Sequence, residues 1–325
     1  MIIGDLDLKN RYFLAPLAGI SNLPFRLLNK EFGCALVYTE MISAQGLIRN
    51  GDKTKVLLRS NKNEKPVSYQ IFGSDPYSLA EAAKICEAYG ADIIDINMGC
   101  PVKKVIKNGA GCALLDDPKR VCAILKSVRS AINIPLTIKI RLGMGDARRS
   151  YLEVSKVAQS EGVDAICLHP RTKNQHFKGD VDLDALKLLK ASVSIPVIGS
   201  GNLFNLSDVN KMFEYTRCDA VMIARGALGN PFIFSELIDK LGDDPYTLNE
   251  GSPVTVDRAR IKDVIMKHVD LFLKHCGTTS CHREMKKHMI WYTKGLLGSA
   301  SFRKRIVVTN DIQKMLQQVE EFFKV

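Results

Sequence analysis

The feature that most constrains this chain is a repeat. Between residues 12 and 224 it runs eight times through a short apolar, largely β-branched stretch, a polar or glycine-bearing loop, and an amphipathic segment. The stretches are "YFLAP" from Tyr12, "ALVYTE" from Ala35, "VSYQIF" from Val67, "DIIDIN" from Asp92, "LTIKIR" from Leu136, "AICLH" from Ala165, "PVIGS" from Pro196 and "AVMIA" from Ala220. Alternation of strand and helix signals a parallel sheet, because parallel neighbours need a crossover. Eight such units in this length predict a (β/α)8 TIM barrel, an α/β fold, with an open doubly wound sheet as the structural alternative.

The segments between strands carry helix boundaries. "SNLPFRLLNKEFG" offers Ser21 as cap, Pro24 in the first turn and Gly33 as terminator, and the stretch from Ser74 to Gly90 repeats the pattern. Polar residues gather where strands end: Gln70, Asn97 with Cys100, Lys139 with Arg141, His169 with Arg171, Ser200 with Asn202, and Arg225. In such barrels the site forms at that rim.

After "GNPFIF" the pattern stops, and from Val256 the chain reads as helices alone. Two domains follow, residues 1–250 and 251–325, with a boundary near Gly251. The net charge of +11 favours a polyanionic partner, and it is unevenly spread: 14 Lys and Arg face 7 Asp and Glu from Gly251 onward, against 32 and 28 before it. "HREMKKHMIWYTKG" sets Arg283, Lys286, Lys287, Ile290 and Lys294 three or four apart on one helix face. The opening residues lack a basic segment followed by an apolar run, and no stretch approaches about 18 apolar residues. A cytoplasmic protein without membrane contact is expected, its nine cysteines reduced.

Several residues carry chemistry. Lys139 sits in a strand whose neighbours are buried, and a buried ammonium is costly unless paired. "GSGN" and "ARGALG" follow strands seven and eight, where small residues let backbone N–H groups approach an anion and Arg225 adds a donor fork. "GAGCAL" from Gly109 lacks the third glycine and preceding strand of a dinucleotide fingerprint, so no dedicated nicotinamide domain is expected. Cys100, between Gly99 and Pro101, has no histidine beside it; an unperturbed thiol is mostly protonated at neutral pH and suits an acid better than a nucleophile. "HCGTTSCH" from His275 lacks metal-ligand spacing and reads as a turn between helices, so no metal is assigned.

Together "APLAGISNLPFR", "DINMGCPVKKVIKNGAGCALL", "IKIRLG", "LHPRT", "GSGN" and "ARGALGNPFIF" resemble the tRNA-dihydrouridine synthases, especially the bacterial B-type branch. The resemblance implies an FMN enzyme that uses NADPH or NADH to saturate the 5,6 double bond of particular uridines in tRNA, with the C-terminal helices binding RNA. By position, Pro16, Leu17 and Ala18 would lie along the flavin, and Gln70 and Lys139 would bond its polar edge. His169, Ser200, Gly201, Asn202, Ala224 and Arg225 would hold the ribityl chain and phosphate. Asn97 and Arg141 would meet the uracil, Cys100 would be the general acid, and Lys103, Lys104, Arg171, Arg283, Lys286 and Lys287 would contact tRNA phosphates. The chain departs from many relatives at Ser200-Gly201-Asn202, where they have Asn-Gly-Asp, at Ala224, where they have glycine, and at "HPRT", where they have His-Gly-Arg-Thr. A flavin barrel acting on a free pyrimidine would not explain the basic appendix. A non-catalytic RNA chaperone would not explain Cys100 and Lys139.

Overall fold

Residues 1–49, 51–242 and 257–324 are described, in a computed structural model. Each apolar stretch becomes a parallel strand: β1 Tyr12–Leu14, β2 Val37–Tyr38, β3 Val67–Phe72, β4 Ile93–Met98, β5 Leu136–Arg141, β6 Ala165–His169, β7 Val197–Ser200 and β8 Ala220–Ile223. Their order is β1-β8-β7-β6-β5-β4-β3-β2, with Ile42–Ser43 added beside β3. The ends of that path meet, through a parallel bridge of Phe13 to Leu36 and the bonds Leu14 N–H to Leu36 O and Ala35 N–H to Tyr12 O. The sheet is therefore closed, and the open doubly wound alternative is excluded.

Alternation along the strands sorts side chains to two sides. Ile94, Ile96 and Met98 of β4 face outward into the layer of helices, whereas Asp95 and Asn97 share the inner face. The inner floor is a plug that includes Phe13, Leu36, Ile93, Cys167, Ile198 and Met222, closed below by the hairpin of Ile2–Ile3 and Leu6–Asp7. Burying each such side chain contributes roughly 1.5–3 kcal/mol. Among the described residues that floor leaves the upper rim as the open end of the barrel.

The surrounding helices are α1 Leu23–Glu31, α2 Pro76–Ala88, α3 Pro118–Arg129, α4 Tyr151–Ser160, α5 Leu183–Ser192, α6 Leu206–Thr216 and α7 Phe232–Leu241. The cap of α1 is Asn22, whose Oδ1 accepts from the Phe25 N–H, and not Ser21. Ser21 Oγ instead turns back on the Leu17 N–H, fixing the loop after β1. Asp75, not Ser74, caps α2. A carboxylate or amide one position on reaches the third amide of the turn equally well, so the sequence signal is displaced by one residue.

Beyond α7 come α8 Arg258–Cys276, α9 Cys281–Tyr292, α10 Ser299–Val308 and α11 Ile312–Phe323. The expected boundary at Gly251 lies outside the described residues. These helices share one apolar cluster with Leu28 of α1 and Phe232 of α7, so they are packed onto the barrel. Gly229, after β8, has φ +70°, and a Cβ there would lie 2.4 Å from the Trp291 carbonyl carbon of α9. Only glycine permits that approach. Residues 277–280 form the turn between α8 and α9 that "HCGTTSCH" suggested.

Candidate active site

A cavity of about 300 Å³ opens at the carboxyl ends of the strands. Its wall includes thirteen of the expected residues: Pro16, Leu17, Ala18, Asn97, Cys100, Lys139, Arg141, His169, Ser200, Gly201, Asn202, Ala224 and Arg225. They come from β1, β4, β5, β6, β7 and β8 and the loops beyond them. Closure of the sheet is what brings them together.

Cys100 is buried but reaches the cavity, and Asn97 holds its turn: Asn97 Oδ1 accepts the N–H of Cys100 at 2.9 Å and of Gly99 at 3.2 Å. Burial pushes the Cys100 thiol up, against weaker opposing effects of the Val102 N–H and the Arg141 charge. The thiol therefore keeps its proton at neutral pH, as a donor must. Gly99 is pressed against the backbone of Lys139 and Ile140, where a Cβ would meet atoms at 3.3–3.4 Å.

His169 lies within 3.1 Å of Arg171 Nη1 through Nε2. A guanidinium can only donate, so Nε2 is the acceptor and Nδ1 carries the proton. Burial, followed by the charges of Lys139, Arg141, Arg171 and Arg225, holds this imidazole far below its ordinary value. His169 is thus a neutral donor among four cations.

The loops after β7 and β8 are locked together: a Cβ on Gly226 would lie 2.1 Å from the Leu203 carbonyl oxygen. The N–H of Gly201 continues the β7–β8 ladder toward Met222 O, whereas outside the ladders no backbone hydrogen bond among the described residues uses the N–H of Asn202. With Arg225 beside it on the cavity wall, the Asn202 N–H is a donor of the kind an anion cradle uses. The Ser200 hydroxyl does not join it, since it donates to Met222 O at 3.1 Å, and Asn202 Oδ1 accepts from Arg171 and Arg225.

Two arginines are tied largely to the loops around the cavity. Arg141 donates to the carbonyls of Gly99, Thr172 and His176, leaving Nη2 outside these bonds. Arg171 is 1% exposed and donates to Lys178 O, Gly179 O and Asn202 Oδ1. Its expected contact with tRNA phosphates is corrected, because a buried, filled fork cannot follow a nucleic-acid backbone. Gln70 is likewise not on the cavity wall; its amide is spent on Asp95 and Asn97. Lys286 donates to Val307 O and Asn310, and Lys287 to Gly19 O and Glu284, so neither is a free surface cation. Lys103, Lys104 and Arg283 are exposed.

Sequence reasoning missed Phe177 and Phe204, two exposed aromatics on the cavity wall. Arg225 lies over both rings and Arg141 over Phe177, at 5.1–5.6 Å. Loop aromatics have no periodicity to betray them. Asp95 was also missed, although a carboxylate within an apolar strand is as unusual as Lys139.

A family model described as dihydrouridine synthase matches residues 13–325. "tRNA-dihydrouridine synthase B" of Pasteurella multocida (strain Pm70) is 36% identical over 99% of this chain and 96% of its own length. The protein of that name from Escherichia coli (strain K12) is 36% identical over 100% and 99%. A "Probable tRNA-dihydrouridine synthase" of Rickettsia conorii (strain ATCC VR-613 / Malish 7) is 33% identical over 99% and 96%. Among solved structures, histamine dehydrogenase from Rhizobium sp. 4-9 superposes with a TM-score of 0.56 at 14% identity, covering 89% of this chain and 50% of that one. A 2-naphthoyl-CoA reductase complex gives 0.55 at 12%, covering 76% and 53%. The chain thus spans about half the length of these two structures, and the likeness is one of fold. With the motifs, the closed barrel and full-length relatives in agreement, the chain belongs to the dihydrouridine synthase family.

Proposed function

We propose that this protein is an FMN-dependent tRNA-dihydrouridine synthase, reducing the 5,6 double bond of specific uridines with NADPH or NADH as electron source. The observation that carries this reading is a protonated thiol, Cys100, facing a cavity that also holds a lysine and an anion cradle. The residues fit a flavin mononucleotide. The Asn202 N–H and Arg225 would take its phosphate over Gly201, neutral His169 would donate to the ribityl chain, and Lys139 would sit at the pyrimidine edge. Pro16, Leu17 and Ala18 would line one side.

When bound and reduced, the flavin supplies hydride to the uracil carbon beta to the carbonyl. Cys100 Sγ then gives its proton to the alpha carbon, and the Arg141 charge favours the thiolate left behind. Asn97 fixes the turn that carries the thiol. Lys139 places positive charge where the reaction gathers negative charge. The target base must leave its stack, at a cost of a few kcal/mol. Exposed Lys103, Lys104 and Arg283 would offset it through phosphates, as part of a binding surface shared by the barrel domain and the helices from Arg258 onward. Acting on tRNA, the protein would work in the cytoplasm with no obligatory protein partner. Among the described residues no helix is long and apolar enough to cross a membrane.

Two measurements test this. The purified protein should be yellow, with the colour bleached by NADPH or NADH. Mass spectrometry of tRNA from a strain lacking the protein should show a uridine two daltons lighter than in the parent; unchanged tRNA with a free pyrimidine as the reduced product would replace this reading.

A further inference from the structure

Beneath the cavity, four buried side chains form one directed chain. Thr137 Oγ1 and Gln70 Nε2 each donate at 2.7 Å, one to each carboxylate oxygen of Asp95. Gln70 Oε1 accepts from Asn97 Nδ2 at 3.0 Å. Asn97 Oδ1 then accepts the Gly99 and Cys100 N–H groups. The strand register makes this possible: Gln70, Asp95 and Thr137 are direct neighbours across β3, β4 and β5.

A carboxylate can only accept. It obliges Gln70 to turn its NH₂ downward and its oxygen toward Asn97. Asn97 must then turn its own NH₂ to Gln70, which leaves Oδ1 for the Cys100 turn. Reversing either amide would set donor against donor or acceptor against acceptor in a dry interior, where unmet polar groups are costly.

We propose that Asp95 is a positioning residue: its charge sets the sense of the Gln70–Asn97 relay and so holds the Cys100 thiol against the cavity. This rests on the acid role of Cys100. Burial works against the charge, pushing the Asp95 carboxyl up to about 6, opposed by the bonds from Gln70 and Thr137 and by the Lys139 charge. The other ionisable groups facing it, Tyr38 and Cys167, are both pushed upward and stay neutral. A carboxyl raised in the folded state favours folding at low pH and loses that contribution as pH rises through about 6. At neutral pH the charge is therefore a burden on the fold. Asparagine would relieve the burden, but it presents both an oxygen and an NH₂, so the sense of the relay is then held only from its far end, by the Gly99 and Cys100 N–H groups.

The test compares the flavin-loaded full chain with Asp95→Asn and Thr137→Val. Asp95→Asn should melt higher than the parent at pH 8 and retain flavin, yet lose about tenfold in tRNA turnover. The rate of Cys100 alkylation by iodoacetamide, read by peptide mass spectrometry, should change with it. Thr137→Val keeps the carboxylate but removes a bond that lowers its pKa, so the acid limb of turnover and of Cys100 alkylation should move to higher pH. Unchanged Cys100 alkylation in Asp95→Asn, or activity that only follows stability, would overturn the proposal. Should Asp95→Asn not fold, an unmoved acid limb in Thr137→Val overturns it equally. Failure of the acid role itself shows separately, as turnover that survives loss of Cys100, while alkylation still reports on the relay.

Discussion

The ammonium of Lys287, on α9, donates to the carbonyl oxygen of Gly19, in the loop whose preceding residues line the cavity. The N–H of the same glycine is held by Glu40, so the peptide groups on both sides of this one residue are gripped. The appended helices thus reach the cavity mouth through a lysine that the family resemblance assigned to RNA.

Lys287→Met should therefore loosen FMN in the absence of any tRNA. Loss of a partly exposed charged hydrogen bond of about 1 kcal/mol predicts a several-fold higher dissociation constant. Flavin fluorescence titration measures it, and normal flavin affinity with weaker, less salt-sensitive tRNA binding would return Lys287 to the RNA surface.

Replacing Cys100 by alanine should leave flavin content and flavin reduction by NADPH intact while dihydrouridine formation falls by roughly 10²–10⁴, the usual reach of a general acid. Single-turnover assays that follow flavin and tRNA separately distinguish the two steps.

Acid should destabilise the fold through its buried imidazoles. His268 is lowered to about 3 by burial and then by the Lys287 charge, and His288 is also pushed well down. A lowered histidine stays neutral when folded but protonates when unfolded, so stability falls as pH drops below the ordinary value of 6.5. Between that value and pH 5, His268 alone should account for about 2 kcal/mol. His268→Gln, which retains a partner for the Tyr292 hydroxyl, should flatten this slope in denaturant titrations.

Gly229→Ala places a methyl group against the Trp291 backbone at a residue with positive φ. A loss of at least about 2 kcal/mol is expected, because neither neighbour is a flexible side-chain end. Chemical denaturation should show it, together with faster hydrogen exchange in α9.

The eight strands were legible because β-branched runs at regular spacing are a local signal, and so were the rim positions of Asn97, Cys100, Lys139 and Arg225. What faces each polar group was not legible. Gln70, Arg141 and Arg171 look from sequence like ligand contacts, yet their partners, Asp95, His176 and Gly179, are fixed by strand register and loop return. Lys286 and Lys287 share a basic helix face in projection, but the projection omits the carbonyls packed against it. Caps slipped by one residue at Asn22 and Asp75, since neighbouring polar residues compete for the same amides.

The close approach of Gly226 to the Leu203 carbonyl ties the seventh loop to the eighth. An occupant of either one is sensed by both, so saturation with inorganic phosphate should quench amide exchange across residues 201–204 and 224–227 in a single step. Widening that seam by enlarging residue 226 would split the response in two.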